Sequence, residues 1–138
     1  MSTNGLRRSI LTRGSTIAHI ARAALESVAF QTAELLEAMA KDGVAPQRLR
    51  VDGGMARNDW MLQFMSDILG IEVLRPLNTE TTALGAAILA AVGAGEFSSL
   101  NEAAALWKLD RKFEPALAAP DRLRQMIGWK GAIARVTT

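Results

Sequence analysis

The sequence predicts an α/β fold, helix-rich, with short parallel strands flanked by helices. Three observations predict it. Apolar residues recur at three- and four-residue spacing through two long stretches, about residues 16–41 and 58–69, as they do along one face of a helix. Two short apolar segments, residues 49–51 and 71–74, alternate with those stretches, the order expected of a layer of parallel strands. The 138 residues are 49% hydrophobic but only 5% aromatic, with abundant Ala, which suits one closely packed, helix-rich domain.

The elements follow in order. Residues 1–13 are polar and basic, with no clear period, and read as a flexible arm. Ser15 or Thr16 is placed to cap the first helix. Its apolar face carries Ile17, Ile20, Ala21, Ala24, Leu25, Val28, Leu35, Leu36 and Met39. Gly43 ends it and Pro46 prevents its resumption. Residues 49–51 form the first strand. Asn58 or Asp59 opens the second helix, with Trp60, Met61, Phe64, Met65, Ile68 and Leu69 on its apolar side, and Gly70 closes it. Residues 71–74 form the second strand, stopped by Pro76. Thr79 or a neighbour caps a third helix, which the apolar run at residues 83–94 marks as buried. Ser99 caps a short helix through Trp107, residues 112–115 are extended, and Asp121 starts a last amphipathic helix whose middle Gly128 and Gly131 weaken.

Composition excludes several functions. With no cysteine, there is no disulfide, thiolate metal ligand or cysteine nucleophile. Net charge is +2 with both signs mixed along the chain, so there is no basic stripe of the kind that binds nucleic acid. The first residues lack the apolar core of a secretory signal, and the longest apolar run falls short of the ~18 residues of a membrane span. No nucleic acid, no membrane and a cytoplasmic location are therefore expected. His19, the single histidine, has no partner at catalytic spacing and is read as structural. The methionines fall at helical spacing and are read as core, and the three tryptophans are too scattered to form a stacking platform.

The stretch with chemistry in it is Val51-Asp52-Gly53-Gly54-Met55-Ala56-Arg57-Asn58. Adjacent glycines at the end of a strand permit unusual backbone angles and remove side chains that would keep a ligand away. Ligands of open α/β sheets lie at this edge, and a following helix start offers N–H groups to a phosphate. The motif is neither a Walker loop nor a G-x-G-x-x-G turn. From spacing alone a tight turn is the favoured reading over a ligand site, and a helix cap is the favoured reading of Asn58 over an amide for a base edge.

Longer motifs favour the ligand. Leu11-Thr12-Arg13-Gly14-Ser15-Thr16, with residues 19–31 after it, resembles a signature region of the sugar-kinase family that includes the glycerol kinases. Val51-Asp52-Gly53-Gly54 with Asn58, Gln63-Phe64 and Ser66-Asp67 resembles its adenosine-binding segment. Arg75-Pro76 with Glu80-Thr81-Thr82-Ala83-Leu84-Gly85-Ala86-Ala87, and Gly128-Trp129-Lys130, are similar to the glycerol kinases in particular. The resemblance extends over about residues 11–136.

The resemblance implies an actin-like ATPase built from ribonuclease-H-like domains, of which residues 14–138 are the C-terminal half of the second, nucleotide-side domain. It implies ATP or ADP as the ligand, with Mg2+ held alongside the nucleotide in the full enzyme and glycerol bound only by a complete enzyme. Gly54 then approaches the α-phosphate, Asn58 the adenine, and Gly53 and Met55 line the same wall. Met55 and Arg57 stand where many relatives carry smaller residues. The family's phosphate loop, glycerol-contacting residues and catalytic aspartate lie upstream of the matched region, so no catalytic residue is assigned in this chain and Asp52 belongs to the adenosine motif. Two expectations follow: negligible kinase activity for the chain alone, and self-association through a sheet edge left unpaired by missing strands. The alternatives are a non-catalytic nucleotide-binding or interaction module derived from a kinase, and a kinase of another polyol or sugar.

Overall fold

Three short strands form one sheet in the order β1-β2-β3: β1 (Arg48–Arg50), β2 (Glu72–Pro76) and β3 (Leu109–Phe113). The computed structural model describes residues 12–137, so all but the last two residues of the arm expected at 1–13 lie outside the described residues. Strands β1 and β2 run parallel, with Leu49 beside Val73 and Arg50 beside Leu74. The helix α2 (Asp59–Leu69) connects them, preceded by a single 3-10 turn at Gly54–Arg57. This is the βαβ unit the spacing predicts. β3 departs from the parallel layer. It runs antiparallel to β2, pairing Val73 with Phe113 and Leu74 with Lys112, with an irregularity between Arg75 and Pro76. The sheet is therefore mixed. Pro76 ends β2 at that irregularity, where a central strand tolerates a missing N–H.

The helix boundaries reflect local capping chemistry. α1 (Ile17–Lys41) starts at Thr16, whose hydroxyl accepts from the His19 backbone, while the His19 ring accepts from the Thr16 N–H. His19 thus closes a capping box, the structural role expected of it. Asn58 caps α2: its Oδ1 accepts from the Met61 N–H at 3.0 Å. Gly70 ends α2 with φ 69°, a left-handed angle that favours glycine. α3 (Thr81–Gly93) has Glu80 at its N-cap with no side-chain cap bond, so the expected Thr79 cap is not made. Thr79 is instead buried beneath Arg57, whose Nε lies 3.4 Å from its hydroxyl. α4 (Leu100–Ala104) is capped by Ser99 as expected but ends short of Trp107. α5 (Ala119–Thr137) begins before Asp121 and runs through Gly128 and Gly131 unbroken.

The core lies where α1 and α2 pack on the sheet. Ala29, Phe30, Ala56, Met61, Leu62, Met65, Ile68, Val73 and Phe113 form one buried cluster, with Leu25, Val28, Leu49, Val51, Met126 and Trp129 packed against it. Ser66 sits fully buried among them and donates to the Ile71 and Phe113 carbonyls, at 2.8 and 3.0 Å, tying α2 to both strands at one end of the β2–β3 pair. Trp60 stacks on Phe64, Phe64 meets Phe30 edge to face, and Phe30 stacks on Trp129 at 5.1 Å. Trp60 and Trp129, two of the three tryptophans scattered in sequence, thus join a ladder of rings that carries α5 onto α1 and α2. The Trp129 indole N–H donates to Glu34 at 3.0 Å and Lys130 pairs with Glu37 at 2.9 Å, fixing the same docking.

Three burial expectations fail: Met55, read as core with the other methionines, is 49% exposed on the loop after β1, and two helices are more open than their composition implies. The residues of α3 are apolar on most sides, yet none is buried, and Leu89 is 62% exposed. The first turns of α1 are likewise exposed, with Ile17 86% accessible, although its period is that of a buried face. Among the described residues only α4 packs extensively on α3, so composition overstated its burial. β1 and β3 each pair with β2 alone, so their outer edges carry no strand partner among the described residues.

Candidate functional site

The loop after β1 is built around two glycines with different reasons for being there. Gly53 has φ 81° and ψ 176°, angles that side chains rarely adopt, and its N–H donates to the Thr79 carbonyl at 2.8 Å. The turn from strand to 3-10 helix therefore requires it. Gly54 has no positive φ, and a Cβ built on it meets nothing within 4 Å. Folding places no demand for glycine there. Gly85, Gly93, Gly128 and Gly131 have the same freedom but lie within helices, whereas Gly54 lies at the mouth of the sheet. The turn and ligand readings of the motif accordingly separate by residue: Gly53 serves the turn, and Gly54 leaves open surface.

The four residues singled out by sequence fall on one short segment but not in one cavity. Asn58 lines an open cleft of about 700 Å3 with Arg57, Asp59, Arg75, Pro76, Leu77, Asn78, Thr79 and Asp110. Met55, half exposed, lines a groove of about 340 Å3 on the side of Val28, Arg50 and Asp52. Gly53 and Gly54 line neither. The Asn58 carbonyl is committed to its cap, which leaves the amide NH2 without a bond to the described residues. Both readings of this side chain are thus compatible with one geometry, because the cap uses the acceptor and a ligand would use the donor.

Asp52 bonds the Thr81 hydroxyl at the start of α3, holding the glycine loop against that helix terminus.

The cleft has a second organiser that sequence spacing does not show. Arg75, only 14% exposed at its side chain, pairs with Asp59 at 2.6 Å and Asp110 at 2.7 Å and donates to the Ala56 carbonyl at 3.1 Å. Asp59 also takes Arg111. Arg75 therefore braces the 3-10 turn, α2 and β3 around one guanidinium, and the hydrogen bond to Asp59, ahead of that to Asp110, raises its affinity for the proton. The signal was present as Arg75-Pro76, but its acidic partners lie 16 residues before it and 35 after it, where no local pattern reaches. The floor of the cleft is held by Leu77 N–H donating to the Lys108 carbonyl and Asn78 Oδ1 accepting from the Glu80 N–H at 2.9 Å. Among the described residues no group of three His, Cys, Asp or Glu could hold a metal ion, and no helix is long and apolar enough to cross a membrane.

Comparison with known proteins places this geometry. Residues 4–94 match the family model described as the FGGY family of carbohydrate kinases, C-terminal domain. The chain is 56% identical over 126 residues to a glycerol kinase of Deinococcus radiodurans and 52% identical over 126 residues to one of Solidesulfovibrio magneticus. Each match covers 91% of this chain and 25% of the relative, so the chain spans about a quarter of the length of these proteins. Among solved structures, Plasmodium falciparum glycerol kinase with ADP superposes with a TM-score of 0.78 at 32% identity, over 93% of this chain and 26% of that one. A xylulose kinase from Rhodospirillum rubrum gives 0.66 at 29% identity, over 90% of this chain and 26% of that one. The actin-like ATPase fold of these sugar kinases is the one the motifs implied, here in a helix-rich form with a small mixed sheet. The chain belongs to the FGGY family of carbohydrate kinases.

Proposed function

We propose that this chain forms the adenine-nucleotide wall of a glycerol kinase, as the C-terminal half, residues 14–138, of that enzyme's second domain. The observation that carries the reading is Gly54, a glycine that folding does not need, at the end of a parallel strand where ligands of such sheets bind. ATP or ADP fits the residues present. Gly53 and Gly54 leave the backbone bare, the Asn58 amide supplies a donor for the adenine edge, and Met55 offers an apolar side to the ring. The solved glycerol kinase that this chain superposes on was crystallised with ADP, which supports the same ligand.

The remainder of the reaction belongs to the rest of an enzyme of which this chain matches a quarter. Phosphoryl transfer depends on positioning and charge neutralisation by a phosphate clamp, Mg2+ and a base. The described residues hold no cluster for Mg2+, so the ion would be carried on the nucleotide phosphates. Glycerol as acceptor, and a cytoplasmic setting, are part of this proposal through the glycerol-kinase relatives. The outer edge of β1, with no strand partner among the described residues, supports self-association of the chain on its own, which sedimentation at rising concentration would detect.

Calorimetric titration with ADP tests the site. Saturable binding in the micromolar to millimolar range is expected, with Kd raised in Asn58→Ala. Glycerol- and ATP-dependent release of ADP by the purified chain is expected to be absent, and its appearance would overturn the division of labour proposed here.

A further inference from the structure

We infer that Arg57 is a nucleotide-contacting residue that makes this site prefer a phosphorylated adenosine to the bare nucleoside. The inference rests on the nucleotide reading above. In a 3-10 turn, side chains three residues apart eclipse one another. Gly54 and Arg57 are the first and last residues of such a turn, so Arg57 projects from the face whose other end is the bare backbone of Gly54. A ligand lying over Gly54 runs toward the guanidinium.

The cations of the cleft differ in how they are held. Arg75 is fixed by two carboxylates within 2.7 Å and a carbonyl, and Asp59 also takes Arg111, which lies outside the cleft lining. Arg57 is 72% exposed at its side chain, and its bonds are long: 3.4 Å to the Thr79 hydroxyl and 3.9 Å to Glu80. It is the cleft guanidinium that can exchange its partners for a phosphate at little loss. A guanidinium fork matches phosphate oxygens in geometry as well as charge. The carboxylates that would repel a phosphate are Asp59 and Asp110, both neutralised by arginines, and Glu80, which competes for Arg57 directly. Glu80 makes no cap bond to α3, so its charge can be removed without disturbing the helix start.

The test is calorimetric titration of the intact chain and of Arg57→Gln, Arg57→Lys and Glu80→Gln with ADP and with adenosine. Arg57→Gln should weaken ADP about fivefold, as for an exposed charge pair, and leave adenosine unchanged. Arg57→Lys should recover part of that loss, and Glu80→Gln should tighten ADP. Raising the salt should erase most of the difference between wild type and Arg57→Gln. Equal ADP affinities in wild type and Arg57→Gln would overturn the inference while leaving the nucleotide site intact, as would a parallel loss for adenosine. Absence of ADP binding in the wild type would overturn the nucleotide reading, and this inference with it.

Discussion

Asn58 has two separable jobs, and a pair of substitutions distinguishes them. Asn58→Ala removes the cap acceptor and the amide donor together. Asn58→Asp keeps an oxygen in the place of Oδ1, 3.0 Å from the Met61 N–H, but exchanges the NH2 for a second, negatively charged oxygen. A carboxylate at a helix N-terminus is at least as good a cap as an amide. Loss of a cap costs about 1 kcal/mol, which for a domain of this size lowers Tm by about 4 °C. Asn58→Ala should show that drop in thermal denaturation followed by circular dichroism, and Asn58→Asp should stay within about 1 °C of wild type. ADP binding should weaken in both, by about three- to tenfold for the lost hydrogen bond. The aspartate should be the worse binder, because its charge faces an anionic ligand. The reasoning fails if Asn58→Ala melts with wild type, since the cap bond would then contribute nothing. It fails equally if Asn58→Asp binds ADP as wild type does, since the donor would then have no ligand.

Other outcomes follow from the core and its ties. Ser66→Ala strips the buried donor shared by the Ile71 and Phe113 carbonyls and should cost about 1–3 kcal/mol in urea unfolding, well above a surface substitution. Leu62→Ala, at a fully buried position, should cost about 2–5 kcal/mol by the same measurement. Gly70→Ala should destabilise by about 1 kcal/mol through the left-handed φ of 69°, and its Cβ would also displace the Arg122 side chain. The docking of α5 should depend on pH. The bond to Lys130, with its charge, holds the Glu37 carboxyl below its ordinary value of 4.5. A lowered pKa in the folded state gives stability that is present above the ordinary value and is lost as pH falls through the depressed one. Trp129 fluorescence should therefore report α5 loosening only below about pH 4.5, and Glu37→Gln should remove that part of the acid response.

Features set by neighbouring residues were legible in the sequence. Thr16, Asn58, Gly43 and Gly70 mark helix ends because capping is decided within four residues. β1, α2 and β2 were legible because their apolar residues change period at those caps. β3 was not. Its residues, Leu-Asp-Arg-Lys-Phe, are mostly charged and exposed, and what makes them a strand is pairing with β2 together with the Arg75–Asp110 and Lys112–Glu72 contacts across it. The exposure of α3 was hidden for the opposite reason. An apolar composition says that a helix can be buried, whereas burial depends on what packs on it, and here little does. In the site, Gly53 and Asn58 were legible as a turn and a cap. The open space over Gly54 and the different restraint of Arg57 and Arg75 needed coordinates, because each depends on residues brought in from β2, α3 and β3.

If Gly53, Gly54 and Asn58 form a nucleotide wall, their amides must sense the ligand, and chemical-shift mapping during an ADP titration reads this. Saturable shifts are expected at Gly53, Gly54, Met55, Arg57 and Asn58, while Ala132 and Trp129 in the groove between α1 and α5 stay still. Shifts confined to that distant groove, or none at millimolar ADP, would contradict it.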